Sequence, residues 1–491
     1  MDQLTPDQAR ALFAHGAKVV VSDAPSNLVL GIDWKSWQLG PRFRGIKLVP
    51  PGVHLLHHHL AVHGTPNPMR HGRFLTLGPG EVCGLRWDRE HEALVPEDPD
   101  QVERFRLGIH ALDPQLGAYP LLESSDAPHP GDGPPARGSH VDPGQEARGH
   151  EARGTWDQWC RLTSCLQDDA ALDALLPGRT WSSTDTIAAV PPPADLGGLI
   201  APHSAPAPER TVAATDVVET VAGSPLRLRP IHLKASFPPD ASPADRTRWS
   251  LDKSWLLRQT LAAPVVPACS RTALERQEQR ERAAQRMPYR TVPPPAAGVS
   301  DGMRALVAEL QLAFVAFMVG SIYDGFEAWK HRVALVALST DWITASGHSA
   351  GSDPIGSDLA AFLEAWSEQM TVFPVDWFMD HLARDNFLAD CLYALGRAAQ
   401  AADPEAPWQP ALKRLAAYMR GRFGVDFMAA SREDPREAWQ PDVPEAEFRP
   451  NGLTPQALLD AVARRQQHAH GFDDDDDDEL PQVVMLDESG S

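Results

Sequence analysis

Apolar and polar positions follow two different periods along this chain, and the change of period divides it. Over residues 7–120, short runs rich in β-branched and aromatic residues succeed one another at Ala17–Ser22 and over 27–31, 43–49, 53–58, 74–77 and 82–87. Turn formers stand between them: Asp, Pro and Ser over 22–27, Pro50, Pro51 and Gly52, and Pro79 and Gly80. Strands joined by turns have this punctuation. It predicts a β-rich sandwich or open barrel, preceded by a short helix that turns Leu12 and Phe13 inward. From residue 303 the period lengthens. Met303, Val307, Leu310, Phe314, Met318, Ile322, Phe326, Trp329 and Val333 recur at steps of three or four, the spacing of one helix face. This predicts a continuous helical stripe over 303–333. Further helices are expected over 358–370, with Ser357 as N-cap, and over 376–383, 387–402 and 411–423. Another is expected over 245–262, where Trp249, Trp255 and Leu256 would face the same bundle.

Between the periodic stretches the pattern fails. Residues 123–154 are rich in Pro, Gly, His and Arg, and 184–223 are rich in Pro and Ala. Residues 264–300 surround a charged core over 271–286 that could form a solvated helix. Segments with so few large apolar residues cannot offset their ordering entropy by burial. The expected organisation is an α+β chain. A β-rich domain occupies 1–182, with a disordered insertion over 123–154, and a linker occupies 183–224. A helical domain follows over 225–430, with a disordered insertion over 264–300, and then a polar tail over 431–491. The tail holds six consecutive aspartates over 473–478, then Glu479, then the short apolar run 480–486. A charge block followed by a β-prone run reads as a docking peptide, carried by Pro481, Gln482, Val483, Val484, Met485 and Leu486.

Composition narrows the function. The net charge of -21 makes direct nucleic-acid binding a poor expectation, since that binding neutralises phosphates with Lys and Arg. A basic protein partner suits the chain better. The five cysteines are odd in number and form no CxxC pair, which favours free thiols in a reducing compartment. The N-terminus lacks a signal-peptide core, and the run 312–319 is too short to span a bilayer. A soluble, intracellular monomer is expected.

Candidate chemistry is sparse. Gly347, His348, Ser349, Ala350 and Gly351 match the G-x-S-x-G elbow of an α/β-hydrolase-type esterase, the alternative function. That elbow needs a strand before the serine and a helix after it. Here a loop-like stretch follows, and the histidines beyond Ser349 are His381, His468 and His470. His54, His57, His58, His59 and His63 are the densest metal-like cluster, yet a strand sends His57 and His59 one way and His58 the other. A half-exposed strand with solvated histidines is expected, and no metal. Cys160 and Cys165 lie in an apolar helical stretch and read as core. Ser250 and Lys253 fit S-x-x-K without its companion motifs. No catalytic residue and no cofactor is assigned.

One stretch is more specific than any of these. Residues 31–37 read GIDWKSW and residues 40–54 read GPRFRGIKLVPPGVH. Together they resemble the signature of the Aar-two splicing factor family. The resemblance continues at LRW (85–87), LGAYP (116–120), WDQWCRLT (156–163), ELQLAF (309–314), YDGFEAWK (323–330), DNFL (385–388), RFGVDF (422–427) and LPQVVML (480–486). It implies a VHS-like helical domain after the β-rich one, and a non-enzymatic assembly chaperone of the spliceosomal U5 particle, both cytoplasmic and nuclear. The implied partner is the large U5 scaffold protein, pre-mRNA-processing-splicing factor 8. The family holds that scaffold's RNase H-like and Jab1/MPN-like domains together and delays helicase docking until phosphorylation and nuclear import release it. The signature residues carried over are Gly31, Asp33, Trp37, Gly40, Pro41, Phe43, Gly45, Pro50, Pro51, Gly52, His54, Trp329, Asn386 and Phe387. Read from the residues alone, these are structural. Gly31, Gly40, Gly45 and Gly52 would permit turns or positive φ, Asp33 would cap a turn, and Trp34, Trp37 and Phe43 would fill a core. The insertions and the six-aspartate run depart from the family pattern, and no phosphorylation site is carried over.

Overall fold

The computed structural model describes residues 6–61, 68–121, 155–167, 169–185, 187–189, 226–233, 236–238, 240–262, 298–345, 354–373 and 387–429. Helix α1 (Pro6–His15) leads into β1 (Ala17–Ser22), and the β-branched runs that follow become strands. Strands β2 (Leu28–Ile32) and β3 (Lys35–Gln38) form a hairpin, followed by β4 (Gly45–Val49), β5 (Gly52–Leu60), β6 (His71–Leu77), β7 (Val82–Asp88) and β8 (Ala93–Pro96). Helices α2 (Pro99–Leu107) and α3 (Ile109–Leu112) precede β9 (Leu116–Ala118). Helices α4 (Thr155–Leu162) and α5 (Asp169–Leu175) then lead to β10 (Thr180–Ser182).

Two five-stranded sheets result. One is ordered β8-β7-β1-β4-β9 and mixes parallel and antiparallel pairs; the other, β10-β6-β5-β2-β3, is antiparallel throughout. Pro50 and Pro51 carry the chain from β4 in the first sheet to β5 in the second, and both are buried. Proline cannot donate to a ladder, so it suits a point where the chain leaves one sheet directly for the other. Gly45 opens β4 at φ +148°, where an added Cβ would lie 2.0 Å from the Val19 carbonyl oxygen. No other residue fits there.

A short parallel pair, β11 (Ile187–Ala189) with β12 (Leu226–Leu228), closes the stretch between residues 189 and 226. The helical half follows: α6 (Pro243–Leu251), α7 (Ser254–Ala262), α8 (Asp301–Met318), α9 (Tyr323–Ala337), α10 (Thr340–Thr344), α11 (Pro354–Val372), α12 (Phe387–Ala401) and α13 (Gln409–Phe423). Each of the nine stripe residues from Met303 to Val333 is buried. They lie on two helices rather than one. Gly320 and Ser321, the latter at φ +58°, break the rod, and the reversed chain packs α9 back on α8. The stretch 245–262 is likewise broken, at Asp252 and Lys253. The Asp252 carboxylate accepts from Ser254 N to cap α7 and from Asp341 N to cap α10.

Two capping expectations change. Ser357 lies inside α11, which begins at Pro354. Its neighbour Asp358 instead accepts from the Ser300 N–H and hydroxyl, while Ser300 caps α8. Val299 and Ser300 therefore belong to the fold, not to the insertion expected through residue 300. The regions over 123–154, 271–286, 376–383 and 431–491 lie outside the described residues. Among the described residues no helix is long and apolar enough to cross a membrane.

Candidate functional site: a buried polar hub and the seam beside it

Asp33 stands at the two-residue turn between β2 and β3 with φ +56°. The sequence suggested a side chain capping its own turn; instead it is fully buried and reaches other segments. Oδ1 accepts from Leu55 N at 3.0 Å. Oδ2 lies 2.8 Å from His54 Nδ1 and accepts from the Tyr119 hydroxyl at 2.6 Å. The other ring nitrogen of His54 lies 2.7 Å from the Pro50 carbonyl oxygen. That oxygen can only accept, so Nε2 carries a hydrogen. Trp156 of α4 stacks on the His54 ring, with centroids 4.7 Å apart, and Trp159 Nε1 donates to Val53 O at 2.8 Å. The β2–β3 turn, the proline crossover, the residue after β9 and α4 thus meet at one carboxylate. His54 and Asp33 are both wholly buried, so the hub positions chain segments and offers no face to a substrate.

Beside the hub, the two halves meet along α8. Gln311 is fully buried; its oxygen accepts from Cys165 N at 2.9 Å and its nitrogen donates to Ser164 Oγ at 2.9 Å. Trp34, one residue after Asp33, sets its ring edge-on to both Trp159 and Phe314, with centroids 6.3 and 6.4 Å away. Arg70 Nη1 donates to Val319 O at 3.3 Å. Deeper in the helical half, Glu309 holds two arginines. Arg332 Nη2 lies 2.6 Å from Oε2 and Arg229 Nε lies 2.5 Å from Oε1. Arg332 also donates to the carbonyls of Ala328 and Arg229, and Arg229 to that of Thr260. This ties the segment after β12 to α7, α8 and α9. Burial lowers the Arg332 pKa, opposed by Glu309.

The remaining signature residues scatter around these two features. Gly31 lies within β2, where an added Cβ would strike the His57 ring at 2.1 Å, so close packing rather than a turn demands it. Gly40 and Pro41 are exposed, and nothing in the structure requires glycine at 40. Gly52 has φ +155° and faces Trp156. Trp37 and Phe43 are partly buried against the core. Trp329 is buried and donates from Nε1 to Gln369 at 2.8 Å. Asn386 lies outside the described residues, as do the side chain of Phe387 and the peptide Pro481, Gln482, Val483, Val484, Met485 and Leu486. Ser349, His381, His468 and His470 lie outside them too. The element leading into the Ser349 motif is helix α10, where a hydrolase elbow requires a strand. Tyr119, Gln311, Glu309 and Arg332 are what reading by residue type missed; a carboxylate, an amide and a guanidinium set among helical apolar positions were the available signal.

The histidine strand is corrected outright. β5 is the central strand of its sheet, so His54, His57 and His58 are buried rather than solvated; His63 lies outside the described residues. No group of His, Cys, Asp or Glu among the described residues is arranged to hold a metal. His58 stacks on His71 of β6 at 5.3 Å and meets Trp87 of β7 edge-on. Its Nε2 accepts from Leu94 N of β8 at 3.3 Å, which places the hydrogen on Nδ1. Burial, then repulsion from His71, His57, His59 and Arg73, holds the His58 pKa well below its usual value. His71 is lowered by burial, against the pull of Asp185 and Glu92. A histidine whose folded pKa lies below its unfolded one stabilises the fold fully above the unfolded value of about 6.5 and loses that contribution as pH falls below it. The unfolding free energy from denaturant titration should therefore drop between about pH 7.5 and 5.5, by at most ~1.4 kcal/mol per pH unit for each such histidine. His58→Phe should flatten that slope, and an unchanged slope would remove His58 from the account.

These residues define a class: a two-part scaffold, double-sheet then helical, joined through a buried polar seam. Residues 15–177 match the AAR2 N-terminal domain and residues 228–428 match the AAR2 C-terminal repeat region. The chain belongs to the AAR2 family. The human protein AAR2 homolog is 26% identical over 443 residues, covering 88% of this chain and 95% of that protein. The mouse homolog is 25% identical, covering 87% and 94%, and the Caenorhabditis elegans homolog is 21% identical, covering 80% and 89%.

Proposed function

We propose that this chain is a non-enzymatic assembly chaperone of the U5 particle. It binds the large U5 scaffold protein, bridges that partner's RNase H-like and Jab1/MPN-like domains, and delays helicase docking, acting in cytoplasm and nucleus. The observation that supports the reading is the family match in both halves of one chain. The buried seam is consistent with it, because a bridging protein must hold its two halves in a fixed relation for one partner to read both. The acidic tail adds steering toward a basic surface. The run 481–486 adds a strand, with backbone hydrogen bonds for affinity and alternate side chains for specificity.

Affinity purification of the tagged full chain from native extract should recover the U5 scaffold and early U5 proteins without the helicase. Helicase recovered at matching stoichiometry would refute the placeholder role. Val484→Pro removes a donor in mid-strand and should weaken scaffold binding far more than replacing the six aspartates with serine, which should mainly slow association at low salt. Parent-like binding of Val484→Pro would leave the tail a solvated extension.

A further inference from the structure

Helix α13 carries Lys413, Arg414, Arg420 and Arg422 and no acidic residue, in a chain of net charge -21. Its inner face, Leu412, Leu415, Met419 and Phe423, is buried, and the helix packs on α11. Arg422 is committed there, donating to the carbonyls of Thr371 and Phe373 at the end of α11. The outer face is exposed at Lys413, Arg414, Ala417, Arg420 and Gly421. Lys413 and Arg420 are seven residues apart, about 10 Å along the axis. Between them that face holds Arg414 and Ala417, with Gly421 just beyond, so three cations line one side of the helix. Arg414 meets Glu364 at 2.6 Å and Arg420 meets Asp426 at 3.0 Å. Both pairs are exposed, and pairs of that kind are weak and exchangeable.

The described chain ends at Ala429, three residues after Asp426, the partner of Arg420. Gln400 of α12 donates to Met428 O at 3.1 Å, and the exposed Arg397 lies one turn earlier on the same helix. Forty-four residues beyond Ala429 the run of six aspartates begins, and residues 471–491 hold nine acidic residues and no Lys or Arg. Forty-four residues can span far more than the length of α13, so the run can reach that helix. Tethering in one chain raises its effective concentration there.

We infer that the outer face of α13 is an intramolecular dock for the acidic run 473–478. At rest the run exchanges onto Lys413, Arg414 and Arg420 and holds the adjoining 480–486 segment against the protein. A partner that takes up 480–486 must first displace this contact. The inference goes beyond the U5 reading and does not depend on which partner that is.

Two measurements on the full chain test it, and neither uses a partner. Zero-length carbodiimide coupling at about 20 mM salt, where charges act over roughly 20 Å, should join Lys413 to an aspartate of 473–478. The product should vanish in high salt and in Lys413→Arg, which keeps the charge. A synthetic peptide of residues 471–488, added to the full chain with its six aspartates changed to serine, should bind. K413Q/R414Q/R420Q should weaken that binding about tenfold, as expected from three exposed pairs. Coupling spread equally to Lys35 and Lys330, or peptide binding unchanged by the triple substitution, would overturn the inference.

Discussion

Asp33→Ala should cost the N-terminal half about 3–5 kcal/mol, the range for removing one partner of a buried charged pair. Three donors lose their acceptor at once: His54 Nδ1, the Tyr119 hydroxyl and Leu55 N. None can turn to water, because the hub is wholly enclosed. Asp33→Asn separates charge from hydrogen-bond count. Its oxygen can still accept from Leu55 N, and its amide can donate to His54 Nδ1 while Nε2–H keeps its bond to Pro50 O. The asparagine variant should therefore lose much less. Denaturant unfolding followed by tryptophan fluorescence reports on the hub directly, since Trp156 lies on the His54 ring. Equal losses for alanine and asparagine would show that the charge, not the bond count, holds the segments together.

Much of the β half was legible because its strands carry their own signal. Val19, Val20 and Val21 in β1, and Leu28, Val29 and Leu30 in β2, are all buried, and prolines and glycines mark the turns between strands. β3 was not legible. Its sequence KSWQ is polar at an edge, and it is a strand because all four residues pair with β2 across a two-residue turn. The stretch 99–112 was given no element within the β-rich region and is helical, with no buried residue in α2 or α3 to supply a periodic stripe. β5 was read as half-exposed because its histidines look polar. Pairing on both sides, with β2 and β6, buries them, and a single strand's sequence does not show how many neighbours it has.

The helical stripe failed differently. From Met318 to Ile322 the step of four survives the reversal of the chain, so the period runs on through a turn. The signature singled out Asp33 and His54 through the resemblance, and their convergence is visible only in three dimensions. Tyr119 and Trp156 lie 86 and 123 positions beyond Asp33. Residue spacing alone does not bring them together.

The second large effect is expected at Glu309. Glu309→Gln leaves the fully buried Arg332 and the partly buried Arg229 against a neutral amide. The expected loss is again about 3–5 kcal/mol, since an uncompensated buried charge costs far more than the pair contributes. The double variant Glu309→Leu with Arg332→Met removes both buried charges and replaces them with apolar groups of similar length. Buried ion pairs exchanged this way are often neutral or better. Arg229, whose side chain is 15% exposed, can turn toward water and keep its bond to the Thr260 carbonyl. The double variant should therefore be more stable than Glu309→Gln alone, a reversal that additive effects cannot produce. Urea unfolding of Glu309→Gln, of Glu309→Leu, of Arg332→Met and of the double variant beside the parent decides it. If the double variant loses the sum of the losses of Glu309→Leu and Arg332→Met, the Glu309 network does not act as a unit, and apolar packing, with Ile231 buried after β12, is what holds that segment.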